Sequence, residues 1–107
     1  MNCTHPIGIF DSGIGGLPIA RKIHELLPNE TLIYVADTAH TPYGEKSEDA
    51  ILQRSLAVTD FLLSHNAKAI VVACNTATMV SIQTLRQRYS IPFIGVEPGI
   101  KPAAIHT

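Results

Sequence analysis

The sequence predicts an α/β fold in which a doubly wound parallel sheet carries helices on both of its faces. Short apolar segments alternate with longer segments of helical periodicity, in the order β-α-β-α-β-α-β. One of the short segments, residues 69–73 (AIVVA), is apolar at every position, which is typical of a strand covered on both faces. Parallel neighbours joined in this way require right-handed crossover helices. The 107 residues are enough for one such domain.

The first strand and the first helix are joined by a glycine-rich turn. Residues 7–10 are apolar, and Asp-Ser-Gly-Ile-Gly-Gly follows at 11–16, where glycine relieves the steric limits on the backbone. Pro18 suits a first helical turn because it has no N–H group to leave unpaired. The helix then has one predicted apolar face, which is formed by Ile19, Ile23, Leu26 and Leu27. Pro28 and Asn29 end it.

A second strand and a second helix are separated by a polar loop. Residues 32–36 (LIYVA) are rich in the branched and aromatic side chains that strands favour, and residues 37–44 form the loop. Ser47 is a suitable N-cap, with two acids directly after it in the first helical turn. The helix has a broad apolar stripe and extends to Asn66, a residue type that adopts the left-handed conformation at helix ends.

The third strand is followed by a cysteine and by the last predicted helix. Residues 74–76 (Cys-Asn-Thr) come directly after the strand, and the helix is expected from about Ala77 to Gln87. Two arginines near its end suit the negative pole of the helix dipole. Pro92–Val96 is the fourth predicted strand, and Glu97 follows it.

Composition excludes several classes of protein. The chain has 8 Lys and Arg against 9 Asp and Glu, so it lacks the positive surplus of a nucleic-acid binder. Its longest apolar run, residues 69–74, is far shorter than the roughly 20 residues of a membrane span. The start has no signal-peptide pattern, and two cysteines are too few for a disulfide scaffold, so we expect a cytoplasmic protein with free thiols. Only 16% of the residues are charged, which predicts exposed apolar surface and self-association.

Polar side chains follow every predicted strand at its carboxyl end. These ends share one edge of a parallel sheet, where open α/β folds bind ligands. The side chains concerned are Asp11, Ser12, Asp37, Cys74, Asn75, Thr76 and Glu97. Cys74 lies between a buried strand and a helix N-terminus, which favours a thiolate able to act as a nucleophile or a base. The alternatives are that the loop residues only cap helices and that Cys74 packs as an inert small hydrophobe.

Other familiar sites are excluded by inspection. Residues 13–18 begin like a dinucleotide-binding glycine motif, but Pro18 stands in place of its last glycine. The sequence contains no P-loop pattern. The five histidines lack paired ligand spacing with the cysteines, so no structural metal is expected. Cys3 precedes the first strand and is interpreted as incidental.

Three segments resemble the N-terminal signatures of the glutamate racemase family, which belongs to the cofactor-independent aspartate/glutamate racemase superfamily. They are IGIFDSGIGGL, YVADTAHTPYGEKS and VVACNTAT, in the family's order and spacing. The resemblance covers essentially the whole chain. It implies the first domain of a two-domain racemase that interconverts L- and D-glutamate without a cofactor and supplies D-glutamate for bacterial peptidoglycan.

The resemblance also implies roles for particular residues. In the family, two cysteines face opposite sides of the substrate's α-carbon; one removes the proton and the other returns it. Cys74 matches the first of these cysteines, and Asp11 matches an acid that assists proton transfer. The positions that match substrate-contacting residues are Ser12, Pro42, Tyr43, Gly44, Asn75 and Thr76. A substrate carboxylate suits the helix N-terminus near residues 75 and 76, and Asp11 and Asp37 offer negative charge to its ammonium group.

Two departures from the family pattern affect what we expect of this chain. His40 stands where the family usually has arginine, a change that alters the packing or the contacts of the second segment. The family's second half, with its G-C-T-H motif and opposing cysteine, is absent from the 107 residues. We therefore expect residues 1–98 to form an N-terminal racemase domain that is incomplete without the second half. Residues 99–107 are expected to begin the crossover to it, and the chain alone to have little or no activity.

Two alternatives remain open. The first is an aspartate or hydantoin racemase of the same superfamily. The second is a non-catalytic, flavodoxin-like binding module that keeps the polar edge of the sheet but has lost the chemistry. The expected partner of the main hypothesis is a small-molecule substrate, glutamate.

Overall fold

The computed structural model describes residues 4–13 and 15–96, which form a four-stranded parallel sheet with helices on both faces. The predicted fold class and the order of the elements are confirmed. The elements in chain order are β1 (Ile7–Asp11), α1 (Leu17–Leu26), β2 (Leu32–Ala36), two short 3-10 helices (Thr38–His40 and Tyr43–Glu45), α2 (Glu48–Ser64), β3 (Ala69–Val72), α3 (Asn75–Arg88) and β4 (Phe93–Gly95). Cys3, Glu97 and the expected crossover at 99–107 lie outside the described residues.

The strand order is β2-β1-β3-β4, and all pairs are parallel. The chain moves from β1 to β2 on one side and then returns to place β3 and β4 on the other. The order therefore reverses between β1 and β3, which pair directly, with Ile9 opposite Val71. Because all the strands are parallel, their carboxyl ends meet at one edge, and the β1/β3 junction lies at the centre of that edge.

The two faces of the sheet are covered to different extents. Successive strand residues point to opposite faces, so Phe10 and Val72 lie under α2 and α3, whereas Ile9 and Val71 lie under α1. The larger core, on the α2–α3 side, contains fully buried Leu62, Ile70 and Leu85 among its members. The smaller core contains Ile9, Ala20, Val71 and Ala73. Within the described residues, α1 is the only helix on that second face.

The ends of α2 follow the predicted local chemistry. The Ser47 side chain accepts a hydrogen bond from the Ala50 N–H group at 3.1 Å, and two acids lie in the first turn. Beyond the last turn, Asn66 has a φ of 68°, so it is in the left-handed conformation. Helix α3 begins at Asn75, two residues before the predicted start, because the Cys74 side chain acts as its N-cap.

The predicted apolar face of α1 is only partly buried. Ile19 and Ile23 pack against the smaller core, but Leu26 and Leu27 at the end of the helix are 66% and 46% exposed. An apolar groove of about 310 Å³ runs between α1 and the sheet, lined by Ile7, Ile19, Ile23, Leu27, Ala69, Val71, Ile94 and Val96. The exposed apolar surface expected from the low charge content is therefore present. Self-association itself stays a prediction.

None of the helices within residues 4–13 and 15–96 is long and apolar enough to cross a membrane.

Candidate active site

A cavity of about 400 Å³ opens at the carboxyl edge of the sheet, at the junction of β1 and β3. We call it the rim pocket. It is lined by Asp11, Ser12, Gly13, Gly15, Ile19, Ala73, Cys74, Asn75, Thr76 and Val96. This is the point at which the strand order reverses, where open α/β folds bind their ligands.

Cys74 is placed by the end of β3 and the start of α3. Its backbone is still extended, with φ −130° and ψ 125°, while the next residue is already helical. The half-buried Sγ accepts a hydrogen bond from the Ala77 N–H group at 3.5 Å. The sulfur therefore lies against the positive end of the α3 dipole and also faces the rim pocket, an arrangement that suits a base or a nucleophile.

Thr78 anchors the first turn of α3 to the sheet. Its buried hydroxyl donates to the Val72 carbonyl oxygen and accepts from the Val96 N–H group, both at 3.2 Å. At Gly95, a Cβ atom would lie 2.5 Å from the Thr78 methyl carbon, so only glycine allows β4 to approach this closely. The helix start that carries Cys74 is thus bonded to β3 and to the residue that follows β4.

Asp11 is 2% exposed and its carboxylate is held by neutral donors. Its Oδ2 atom accepts from the Gly16 N–H group at 2.6 Å and from the Tyr34 hydroxyl at 2.7 Å. Its Oδ1 atom accepts from the Gly13 N–H group at 3.3 Å. No lysine or arginine of the described residues forms an ion pair with it. Asp11 therefore brings to the pocket a carboxylate that has no cationic partner among the described residues.

Gly16 is required where the turn passes under Asp11. A Cβ atom at this position would lie 2.7 Å from the Ala73 Cβ atom and 2.8 Å from the Asp11 Oδ2 atom. Such distances are too short for a side chain, so the glycine lets the turn close against β3 and donate to the carboxylate.

Asp37 does not have the role that we expected from the sequence. It is 9% exposed, and Arg54 of α2 binds it at both oxygens, with 2.9 Å from Nε to Oδ2 and 2.9 Å from Nη2 to Oδ1. Tyr43 also donates to Oδ2 at 2.5 Å, and the His40 Nδ1 atom lies 3.2 Å from Oδ1. Burial works to raise the pKa of Asp37, but the donors from Arg54 and Tyr43 outweigh it and lower the pKa to about 2. Its charge is neutralised inside the protein and is not offered to a ligand's ammonium group.

The second segment reaches the edge of the rim pocket, with Thr41 beside the pocket residue Gly13, but its predicted site residues lie elsewhere. Tyr43 is 2% exposed, and its ring packs edge-on against Phe10 in the larger core, with centroids 6.2 Å apart. Burial and the bond to Asp37 raise the pKa of Tyr43 above its ordinary range, so its hydroxyl remains a donor. Pro42 and Gly44 are exposed, and neither they nor Tyr43 line the pocket. Five of the eight predicted site residues are thus brought together: Asp11, Ser12, Cys74, Asn75 and Thr76.

Three residues that organise this edge were missed from the sequence. Tyr34 was interpreted only as a strand residue, although its hydroxyl bonds Asp11. Arg54 is the only basic residue of α2, a signal that could have marked it as a partner for an acid. Thr78 lies in a run of small helical residues and carries no distinguishing signal.

The chemistry available in the rim pocket is that of amino-acid binding and proton transfer. Helix α3 presents its N-terminal N–H groups beside Asn75 and Thr76, which suits a carboxylate. Asp11 offers an uncompensated negative charge for an ammonium group, and Cys74 offers a thiol. Among the described residues, no group of three or more His, Cys, Asp or Glu side chains could hold a metal ion.

Comparison with known proteins gives the same family throughout. Residues 7–105 match the family model described as Asp/Glu/Hydantoin racemase. The chain is 59% identical over 99 residues to a glutamate racemase of Methylococcus capsulatus and 54% identical over 103 residues to one of Ectopseudomonas mendocina. Similar solved structures include glutamate racemase from Thermus thermophilus in complex with β-chloro-D-alanine (TM-score 0.88, 41% identity) and from Escherichia coli in complex with L-glutamate and the activator UDP-MurNAc-Ala (TM-score 0.86, 44% identity).

The chain corresponds to the N-terminal part of these relatives. The matches cover 92% of this chain but 36% of the Methylococcus protein, and 95% of this chain but 39% of the Ectopseudomonas protein. They cover 97% of this chain and 40% of the Thermus structure, and 96% and 40% for the Escherichia structure. It therefore spans well under half the length of the relatives it matches.

Proposed function

The chain belongs to the Asp/Glu/Hydantoin racemase family, and on that premise we propose that it forms the N-terminal part of a glutamate racemase. The reaction is the interconversion of L- and D-glutamate without a cofactor, with Cys74 as one of two thiol bases and Asp11 assisting proton transfer. The observation that carries the proposal is the position of Cys74, which caps α3 in the same pocket as the uncompensated Asp11.

The rim pocket supports a definite orientation of the substrate. The α-carboxylate of glutamate binds at the first turn of α3, beside Asn75 and Thr76, and the ammonium group lies toward Asp11 and Ser12. The α-carbon then lies near Cys74, whose thiolate removes the α-proton and becomes a thiol. The electron pair left on the carbon is delocalised into the carboxylate, so the N–H donors at the helix start stabilise the transition state.

Inversion needs a second base on the opposite face of the α-carbon. Among the described residues, Cys74 is the one cysteine, and it lies on one side of the pocket. A proton returned from the same side would restore the starting enantiomer. We therefore propose that the 107 residues alone have little or no racemase activity and that the opposing thiol belongs to a part of the protein not included in them.

Glutamate is the proposed substrate because of the relatives. The curated relatives named above are glutamate racemases, and the Escherichia structure contains L-glutamate. The family model itself also includes aspartate and hydantoin racemases, so these remain the alternative substrates. The supply of D-glutamate for peptidoglycan and a cytoplasmic location, both expected from the sequence, belong to the same proposal.

The decisive experiment is a chimera in which this chain replaces the 99 aligned residues of the Methylococcus racemase. L-Glutamate and L-aspartate are supplied side by side, and the enantiomers are separated by chiral chromatography. We expect turnover of glutamate far above that of aspartate. Cys74→Ser should abolish it, whereas the matched control Cys3→Ser should leave it unchanged. A folded but inactive chimera, or one that keeps full activity with Cys74→Ser, contradicts the proposal.

The chain alone tests the one-base part of the proposal. The same chiral assay on the purified 107-residue chain should detect no robust turnover. Rapid formation of D-glutamate would show that a second base is already present. Calorimetry with glutamate distinguishes the racemase hypothesis from the binding-module alternative. The binding module predicts that this chain and its Cys74→Ala variant bind glutamate equally and that the Cys74 thiol is unreactive.

A further inference from the structure

We propose that Tyr34 is a positioning residue for Asp11, fixing one oxygen of the carboxylate so that the other is available to the bound amino acid. The inference rests on the proposed function for its consequence in catalysis. Its structural part, the control of Asp11 by Tyr34, depends only on the contacts at the ends of β1 and β2.

The sheet register explains how Tyr34 reaches Asp11. Tyr34 lies opposite Ile9, and Asp11 lies opposite Ala36, so the tyrosine is on the neighbouring strand and two residues back. Side chains two apart share a face of the sheet, and such diagonal neighbours are within reach of a long aromatic side chain. The hydroxyl spans this distance, ending 2.7 Å from Asp11 Oδ2 and 3.2 Å from the Gly13 carbonyl oxygen.

The two oxygens of Asp11 are held unequally. Oδ2 has two short bonds, from the Tyr34 hydroxyl and from the Gly16 N–H group at 2.6 Å. Oδ1 has a single longer bond, 3.3 Å from the Gly13 nitrogen. A carboxylate oxygen accepts about two hydrogen bonds, so Oδ1 is the oxygen with capacity left for a substrate ammonium group or a proton.

Tyr34 is suited to remain a donor over the working pH range. Burial, followed by the hydrogen bond and the charge of Asp11, raises the pKa of Tyr34 above its ordinary value. Phenylalanine would keep the ring in the smaller core, where Tyr34 packs, but would leave Oδ2 with only the Gly16 donor. The Asp11 carboxylate would lose one of the two short hydrogen bonds that fix its orientation.

The structural part is tested on the 107-residue chain by NMR. The side-chain carboxyl carbon of Asp11 is followed at neutral pH in the parent chain and in Tyr34→Phe. We expect its resonance to shift, because Oδ2 loses one of its two short hydrogen bonds. An unchanged resonance in folded Tyr34→Phe would overturn the inference.

A matched control and a second variant keep this test clear. Tyr89 also donates to an aspartate, with 2.7 Å from its hydroxyl to Asp60 Oδ1, but away from the rim pocket. Tyr89→Phe should leave the Asp11 carboxyl resonance where it is in the parent chain, and a shift of the same size in this control would contradict the inference. If Tyr34→Phe does not fold, Asp11→Asn tests the same hydrogen bond at its acceptor. The Tyr34 Cζ resonance should then shift, and a resonance that stays at its parent position refutes the contact.

The catalytic consequence is tested in the chimera described above. Tyr34→Phe should lower kcat roughly tenfold and change KM less than about twofold, because the loss of orientation acts mainly after binding. This split between kcat and KM is the readout that a merely structural role would not produce. If the parent chimera is active and Tyr34→Phe does not change its kcat, the positioning role is overturned. If the parent chimera is inactive, the proposed function is refuted, and the NMR experiment alone then tests the contact between Tyr34 and Asp11.

Discussion

The ends of β1 and β2 each place an aspartate at the edge of the sheet, and the fold uses the two in opposite ways. Asp11 and Asp37 are close neighbours, since the Asp37 N–H group donates to the Asp11 carbonyl oxygen at 2.8 Å. Both side chains are buried. The Asp37 side chain forms a bidentate ion pair with Arg54, whereas the three hydrogen bonds that the Asp11 carboxylate accepts all come from neutral donors.

The difference separates an acid that connects two elements from one that faces a pocket. The ion pair of Asp37 connects the loop after β2 to α2, and its charge is cancelled by Arg54. The orientation of Asp11 is fixed by the turn and by Tyr34, and no cation of the described residues pairs with it. Of these two strand ends, the β1 end lines the rim pocket and the β2 end does not.

The largest effect is expected from removing the cation at the β2 end. Arg54→Met keeps the apolar stem of the side chain but leaves Asp37 buried beside only Tyr43 and His40. We expect the free energy of unfolding to fall by about 3 kcal/mol, measured by urea denaturation. Arg21→Met, on the exposed side of α1, is the control and should change it by less than about 0.5 kcal/mol. Equal effects of the two variants would contradict the role given to Asp37.

At the β1 end, the corresponding substitution is at Gly16, whose backbone N–H group donates to the Asp11 carboxylate. Gly16→Ala forces a methyl group against Ala73 and the Asp11 carboxylate, and we expect a loss of about 2 kcal/mol in urea denaturation. Gly44→Ala is the control, because a Cβ atom at Gly44 meets nothing within 4 Å. A Gly16→Ala protein as stable as the control would show that the turn can move away from β3.

Acid should weaken the β2 end selectively. The pKa of Asp37 is lowered from its ordinary 3.8 to about 2, so its contribution to stability is complete above pH 4 and is lost as the pH falls through 2. The shift corresponds to about 2 kcal/mol. Urea midpoints recorded between pH 5 and pH 2 should fall less steeply in Asp37→Asn than in the parent chain. Parallel curves for the two proteins would rule out this contribution.

The smallest effect on stability is expected at Asp11 itself. In Asp11→Asn, the amide oxygen can still accept from Gly16 and Tyr34, and no ion pair is lost. The free energy of unfolding should change by less than about 1 kcal/mol, well below the loss in Asp37→Asn under the same conditions. Equal losses in the two variants would remove the distinction between the two aspartates.

Much of the fold was predictable because it depends on local patterns. The alternation of apolar and helical segments predicted the four strands and the three α-helices, but not the two 3-10 helices in the expected loop at 37–44. Ser47 and Asn66 marked the ends of α2 by their own backbone chemistry. The errors concern features that depend on contacts between residues far apart in the sequence. Leu26 and Leu27 belong to the periodic face of α1, yet they are exposed because α1 is the only described helix on its side of the sheet.

The sequence predicted where in the fold the candidate site lies, but not which side chains contact one another there. Parallel strands bring their ends together in any sequence of this pattern, so the convergence of Asp11 and Cys74 followed from topology. Asp37 also follows a strand at its carboxyl end, so the sequence pattern alone did not distinguish it from Asp11. Only the tertiary packing of α2, which places Arg54 beside it 17 residues later, distinguishes the two acids.

Thr78 fixes the position of Cys74 relative to the sheet. Its hydroxyl bonds the main chain of β3 and of the residue after β4, so the start of α3 is held at two strand ends. Moving Cys74 away from the pocket would break these hydrogen bonds at the strand ends, which belong to the most cooperative part of such a domain. The sulfur is therefore a fixed point of the pocket, and a bound molecule has to adapt to its position.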